Sequence, residues 1–436
     1  MADESSETTR RVRSQYEDLP YPPRDPEEER SRLLVTDLDH LSLINHYCYR
    51  GRRDFRQGFR VLVAGGGTGD ALIYLAEQLK DTDARITYVD LSEQSMGIAR
   101  RRAEIRGLAG IEWIRGSLLD LPEMAPEPFD YINCGGVLHH LADPEAGLRA
   151  LADVMKDDGA MCLMVYAPYG RTGVYQMQEL MRIVNRGLDD PGRRLANARA
   201  ILSALPETNW FKRGEHLIRD HVTMGDAGIY DMFLHSTDRA YSIPQLHEFL
   251  ASAGLRLVTF RRRERAILTP GVAYKVKPLT DMLADMPPPC RQGALELFSG
   301  AIIKHTFFAA RSSDTVARPD DAENVPAFHL IPDFGAMLAR ELAGKPGRSS
   351  ITANLPKGMQ VTIPVGPYTA GFARHIDGIR TIREIAERIR GEDPSDPDAA
   401  EVAAAFPAFF EPLNLWDLLL LRHRLAHPPT PIDQIA

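Results

Sequence analysis

Arg60-Val61-Leu62-Val63-Ala64-Gly65-Gly66-Gly67-Thr68-Gly69-Asp70, running on into Ala71-Leu72-Ile73-Tyr74-Leu75-Ala76-Glu77-Gln78-Leu79, decides the fold. Val61 to Ala64, after Arg60, form a short apolar run with β-branched Val61 and Val63, which suits a buried strand. Leu72, Leu75, Ala76 and Leu79 then recur at i, i+3, i+4 and i+7, one face of a helix packed on a sheet. The glycines between them let backbone amides approach a ligand closely at a helix N-terminus. A second strand, Arg85 to Val89, ends at Asp90, where a carboxylate can accept the two hydroxyls of a ribose. Strand, glycine turn, helix, strand and acid together point to an adenosine ligand more specifically than the glycines alone.

The spacing also discriminates between adenosine ligands. A dinucleotide loop of the form GxGxxG needs glycine at position 70, and this chain has Asp70. A carboxylate there repels a pyrophosphate but suits a ligand with an ammonium and a sulfonium, so a nicotinamide-dependent oxidoreductase is disfavoured.

Outward from the loop the strand–helix rhythm continues. Ser92 caps a helix with Met96, Ala99 and Ala103 inward. Strands follow at Ile111–Ile114 and Phe129–Asn133. Asp143-Pro144 opens a helix that Asp158-Gly159 is expected to end, and Met161–Tyr166 is the fifth strand. Such βα repeats predict an α/β, Rossmann-like doubly wound sheet. Residues 168–242 break the rhythm with helical patterns and read as an insertion that caps the site or makes a homodimer contact. The pattern resumes with a helix at 242–253 and strands at Arg256–Phe260 and Lys304–Ala310. The strip Arg261-Arg262-Arg263-Glu264-Arg265 reads as a solvated strand face.

Three further regions complete the organisation. Residues 1–57 hold a proline-rich, extended arm and a short helix near Asp39–Tyr49. Residues 58–167 and 243–311 form the sheet domain, and 311–325 reads as a polar linker. Residues 326–436 carry a separate core, with Thr381 and Glu384 as a capping box before Ile382, Ile385, Ala386 and Ile389.

Composition bounds the function. The 436 residues exceed one ordinary core, and 44% hydrophobic with 26% charged residues is soluble globular usage. A net charge of −8 argues against nucleic acid or anionic membrane as partners. The four cysteines (Cys48, Cys134, Cys162, Cys290) have no metal-ligand spacing, so no metal is expected. The N-terminus lacks an apolar signal region, and no stretch approaches a membrane span, so a cytoplasmic enzyme is expected.

The segments VLVAGGGTGDALIYLAEQL, ITYVDLS, WIRGSLLDLP and FDYINCGGVLHHLADPEAGLRALADVMKDDG resemble the successive motifs of class I S-adenosylmethionine-dependent methyltransferases. The resemblance implies a seven-stranded sheet whose last strand is antiparallel. It implies that Gly65, Gly66, Gly67 and Gly69, with Asp70 alongside, wrap the methionine moiety of S-adenosylmethionine and that Asp90 holds the ribose. It places Leu91, Ser117 and Leu118 at the adenine, and Cys134-Gly135 under the amino-acid end. Val63 stands where the family often has an acid, and Ser117 where an Asp is common. YEDLPYPPR, INHYCYRG and APYGRTGVYQMQ are similar to bacterial protein-lysine methyltransferases of the rickettsial outer-membrane-protein type. VTIPVGPYTAGFARHIDGIRTIREIAERI resembles winged-helix modules that recognise peptides, the alternative being a packing or dimerisation domain.

Residues following the fourth and fifth strands lie beside such a cofactor. Here they are His139, His140, Tyr166, Tyr169, Arg171 and Tyr175, with Tyr16 and Tyr21 of the arm able to fold over, and His235 and Asp238 near the cap. A histidine can serve as general base, and tyrosine rings favour a cation; LHHL also reads as a structural helix entry, and packing is the first reading of each tyrosine. The expected acceptor is a protein lysine amine. The alternatives are a small-molecule oxygen or nitrogen and a non-catalytic cofactor-binding module. CGGV in place of an NPPY-type motif disfavours enzymes acting on exocyclic base nitrogens.

Overall fold

β1 (Arg60–Ala64) is the pivot of a seven-stranded sheet in the order β3-β2-β1-β4-β5-β7-β6. The computed structural model describes residues 2–125, 127–344, 347–354, 360–392, 395 and 397–435. β2 (Arg85–Asp90) and β3 (Ile111–Arg115) extend the sheet on one side, and β4 (Phe129–Gly135) and β5 (Met155–Tyr166) on the other, all parallel. β6 (Arg256–Phe260) lies at the edge, and β7 (Lys304–Ala310) inserts antiparallel between β5 and β6. The chain reverses direction across the sheet between β1 and β4. The crevice at their carboxyl ends is therefore the ligand-binding position of the fold.

The central strands read as continuous apolar runs because both faces are covered: Val61, Leu62 and Val63 of β1 are fully buried. The helix after the glycine loop, Asp70–Leu79, buries Leu72, Leu75, Ala76 and Leu79 as its periodicity requires. Ser92 accepts from the Ser95 amide and Asp143 from the Ala146 amide, so both expected N-caps form.

Three local expectations differ. The helix from Pro144 ends at Asp153, and Asp158-Gly159 lies inside β5, where the β4–β5 register jumps from Phe129↔Met155 to Tyr131↔Ala160. The extra residues on β5 are absorbed as a bulge. The basic strip after β6 is a helix, Arg262–Ile267, because Glu264 turns inward and pairs with Arg261. The N-terminal arm begins as a helix, α1 (Ala2–Asp18), rather than an extended segment. Its docking partners explain why: Glu17 accepts from the Glu93 and Gln94 amides and thus caps a neighbouring helix from outside.

The insertion is helical, with Thr172–Val184 and Pro191–Ser203 as its long members. Val174, Met177, Met181, Ala198, Phe211 and Phe233 give it a core of its own. Its last turn, Tyr230–Leu234, is wound as a π-helix, a form that often marks functional sites.

The chain divides into two compact units, Met1–Thr36 with Gly58–Arg311, and Asp37–Gln57 with Ser312–Ala436. In the second unit β8 (Asn324–Phe328) pairs antiparallel with β11 (Leu419–His423), and β9 (Ser350–Asn354) with β10 (Gln360–Pro364). Thr381 and Glu384 form the reciprocal cap expected of them. The Tyr47 hydroxyl of helix Leu41–Cys48 donates to the buried carboxylate of Asp417 at 2.7 Å. The expected linker is pinned to that helix, with the Thr315 hydroxyl on the Tyr47 carbonyl and the Ala317 amide on the His46 carbonyl, each at 2.7 Å. Among the described residues no helix is long and apolar enough to cross a membrane.

Candidate active site

The glycine loop is shaped by its neighbours on every side. Gly65, Gly67 and Gly69 have φ of 66°, 53° and 98°, the left-handed region that side chains disfavour. A Cβ on Gly66 would stand 2.3 Å from the Tyr88 ring. Asp90, at the end of β2, accepts from the Gly67 amide through Oδ2 and from the Ser92 amide through Oδ1, each at 2.8 Å. One carboxylate thus fastens the loop to the start of the next helix. Burial pushes the Asp90 pKa up, and the backbone donors partly offset it.

The arm crosses this loop. The Thr68 hydroxyl donates to the Pro22 carbonyl at 2.7 Å, and the Tyr21 carbonyl stands where a Gly67 side chain would be. Arg24 and Arg102 both pair with Asp70, at 2.6 and 2.8 Å. Arg102 is 1% exposed and also pairs with Glu29, which reaches Arg106 as well. Asp70 therefore braces the arm. Its charge is balanced within the protein, so the ligand discrimination ascribed to it from sequence rests on the missing glycine spacing rather than on a free carboxylate.

A second polar cluster lies past the carboxyl ends of β4 and β5. Asp231, on the π-turn, accepts from the Tyr16 hydroxyl at 3.0 Å and from the Tyr166 hydroxyl at 3.2 Å. His140 and His235 stack with ring centroids 3.8 Å apart. The Arg171 guanidinium lies 3.5 Å over the Tyr166 ring and bonds Asp238 at 3.2 Å, while Gln178 holds the same carboxylate oxygen. Tyr21 donates to Asp220 at 3.3 Å. Burial raises the Asp231 pKa, opposed by His140, Tyr16, Arg171 and Tyr166. The same burial raises Tyr16 and Tyr166 and lowers His139 and His235.

His140, Asp231 and His235 bring ligand atoms within 4.8 Å of one another. The backbone of Thr237 sets their tautomers. Its carbonyl takes the His140 Nδ1 proton at 2.7 Å, and its amide donates to His235 Nδ1 at 3.0 Å. In the neutral rings His140 Nε2 carries a lone pair and His235 Nε2 a proton. The trio presents one free imidazole lone pair where a two-histidine, one-carboxylate metal site uses two.

The comparisons agree with this geometry. A methyltransferase-domain family model matches residues 62–161. A protein of Synechococcus sp., itself uncharacterised, is 31% identical over 329 residues, covering 74% of this chain and 76% of the relative. A ubiquinone biosynthesis O-methyltransferase of Neisseria meningitidis serogroup C is 37% identical over 110 residues, 25% of this chain and less than half (44%) of that enzyme. The chain belongs to the class I S-adenosylmethionine-dependent methyltransferases. Within that class its fold is similar to PKMT2 of Rickettsia typhi, solved with AdoHcy, at a TM-score of 0.61 and 15% identity over 90% of this chain and 76% of that one.

The site residues fit this cofactor. Gly135 is exposed at the end of β4, and a Cβ there would meet nothing closer than 4.0 Å, leaving a cradle for the amino-acid end. Asp90, the carboxylate expected at the ribose, ends β2 with Leu91 half-buried beside it. Ser117 and Leu118 follow β3; the Ser117 oxygen accepts from the Leu119 amide, and the Leu118 side chain is in the core. Cys134 is buried, its thiol pushed up to about 12 by burial, so its side chain belongs to packing.

The acceptor candidates separate clearly. His140, Tyr166, Arg171 and the arm's Tyr16 meet around Asp231. His139 is fully buried, with its ring against Tyr166 and His140. Tyr175 lies beyond Arg171, whose guanidinium is 5.8 Å from its ring. Tyr169 takes part through its main-chain oxygen, a partner of the Thr172 hydroxyl. Sequence reasoning missed Asp231. The available signal was a lone carboxylate inside the apolar run Ile229-Tyr230-Asp231-Met232-Phe233-Leu234, where an unpaired charge would be costly.

Proposed function

We propose that the methyl acceptor is a lysine side-chain amine of a protein. The observation that carries this reading is the composition of the cluster beside the cofactor crevice: a buried carboxylate, Asp231, held between the hydroxyls of Tyr16 and Tyr166. A carboxylate among aromatic rings suits a cation and the amine formed from it. The likeness of fold to the rickettsial PKMT2, which extends over 90% of this chain, supports an acceptor of the same kind.

When bound, S-adenosylmethionine supplies an electrophilic methyl group on a sulfonium. The chain's own residues would do the rest: the glycine loop wraps the methionine moiety, Asp90 holds the ribose, the arm covers the loop, and the tyrosine–carboxylate cluster orients the acceptor nitrogen. Bringing nucleophile and methyl carbon to about 3–3.5 Å is the main catalytic requirement.

A small-molecule oxygen acceptor is the second reading, favoured by the likeness of the core to the ubiquinone biosynthesis O-methyltransferase and by the free lone pair on His140 Nε2. Labelled methyl transfer into a cell lysate decides between them. The lysine reading expects label in protein, recovered after digestion as methyllysine. Label confined to small molecules refutes it.

A further inference from the structure

We propose that Asp231 is the catalytic proton acceptor for the acceptor amine, with His140 Nε2 as the outlet for that proton and Tyr16 of α1 as its positioning residue. This rests on the lysine reading above. An amine at neutral pH is protonated, and an ammonium has no lone pair with which to attack a methyl group. A group in the site has to remove one proton, and Asp231 is placed for it.

Four observations converge on Asp231. It sits on the π-turn at the carboxyl edge of the sheet, past the ends of β4 and β5. Both its oxygens are aimed by hydroxyl donors from different elements, Tyr16 from α1 and Tyr166 from β5. His140, within 4.8 Å by ligand atom, is locked by the Thr237 carbonyl in the tautomer that leaves Nε2 free to take a proton. The groups facing Asp231 are Tyr16, Tyr21, His140, Tyr166 and Arg171, with His235 stacked on His140. Burial dominates their combined effect and favours the neutral carboxylic acid over the carboxylate. The same desolvation favours the neutral amine over the ammonium, so proton transfer replaces a buried ion pair with two neutral groups.

The step balances. An Nζ–H bond of the ammonium breaks, its electron pair stays on nitrogen, and the proton goes to an Asp231 oxygen. The nitrogen lone pair then forms the bond to the methyl carbon as the carbon–sulfur bond breaks, its pair leaving on sulfur. The positive charge that was on sulfur ends on the methylated nitrogen. The proton on Asp231 passes to His140 Nε2, the lone pair of a ring whose ligand atom lies within 4.8 Å of the carboxylate.

Tyr16 ties this chemistry to the arm. Its hydroxyl reaches Asp231 while its own carbonyl accepts from Ser92, which is the residue after the Asp90–Leu91 pair. The helix α1 therefore delivers one of the two donors that aim the carboxylate, and the site is complete only with the arm docked.

The test is Asp231→Asn in the full chain, assayed by labelled methyl transfer into lysate protein between pH 7 and 10, with S-adenosylhomocysteine binding as a check of folding. A lysine amine with its ordinary pKa of about 10.4 is neutral in roughly one molecule in 10³ at pH 7. The expected result is a loss of about 10³-fold at pH 7 that recovers roughly tenfold per pH unit. Binding of n-butylammonium, measured by calorimetry on the S-adenosylhomocysteine-loaded protein, should weaken at least tenfold. A rate within threefold of the parent, or a loss that stays the same at every pH, overturns the role of Asp231. Absence of protein labelling by the parent enzyme refutes the lysine reading instead, and n-butylammonium binding then still reports on the pocket. Should Asp231→Asn fail to bind S-adenosylhomocysteine, Tyr16→Phe decides. Losing one donor raises the proton affinity of Asp231, so the acidic limb of the pH–rate profile moves to higher pH; an unmoved limb overturns the proposal.

Discussion

With the proposed ribose role, Asp90 has two tasks, and replacing it separates them. In Asp90→Ala the Gly67 and Ser92 amides each lose a partner at 2.8 Å, and the ribose, on this proposal, loses its acceptor. Hydrogen bonds to a charged group are worth about 1.5–3 kcal/mol each, and part of that returns when water solvates the freed hydroxyls. Two such bonds to the ribose give a net loss of about 2–4 kcal/mol, a ~30- to ~900-fold rise in the Kd for S-adenosylhomocysteine. Asp90→Asn sharpens the test. Its amide group must point at either the Gly67 or the Ser92 N–H, placing donor against donor, so it should recover little of the affinity despite its near-identical shape. Calorimetric titration gives both Kd values, and thermal unfolding reports the loop anchor. Affinity within threefold of the parent in Asp90→Ala would refute the ribose assignment. Full recovery in Asp90→Asn would refute the paired-amide account of the loop.

Other expectations follow from the same packing. Glu29→Gln leaves Arg102, 1% exposed, with Asp70 as its remaining carboxylate; stability should fall by about 3 kcal/mol in denaturant titration, the low end for breaking a buried pair. Gly66→Ala drives a methyl group to 2.3 Å from Tyr88 and should abolish S-adenosylhomocysteine binding, whereas Gly58→Ala, with open space around it, should cost about 1 kcal/mol of stability and no affinity. His139 and His235 are held below the ordinary histidine pKa of 6.5 by burial, then by His140. Being neutral in the fold and protonated when unfolded, they leave stability intact above pH 6.5. They withdraw it as pH falls below that value, by up to about 1.4 kcal/mol per unit for each. Chemical denaturation at pH 7.5 and 5.5 should show the loss, and His235→Asn should reduce it.

The glycine loop, the helix behind it and Asp90 were legible from the chain because their constraints are local. A left-handed turn demands glycine, a buried helix face demands a period of 3.6, and a carboxylate after the second strand needs only the strand to place it. The fate of α1 was not legible, since its own residues are polar; it is held by Glu17 on the Glu93 and Gln94 amides and by Tyr16 on Asp231, contacts that span 76 to 215 positions. Asp70 shows the same limit from the other direction. Its place after the loop was legible, but its partners, Arg24 and Arg102, are brought to it by tertiary packing, and they turn an apparent ligand-facing charge into a brace. The sequence by itself determined the sheet, the cofactor class and the reaction. Only the tertiary structure brings together the cluster proposed for the acceptor, because Tyr16, His140, Tyr166 and Asp231 belong to four separate elements and no local period or spacing links them.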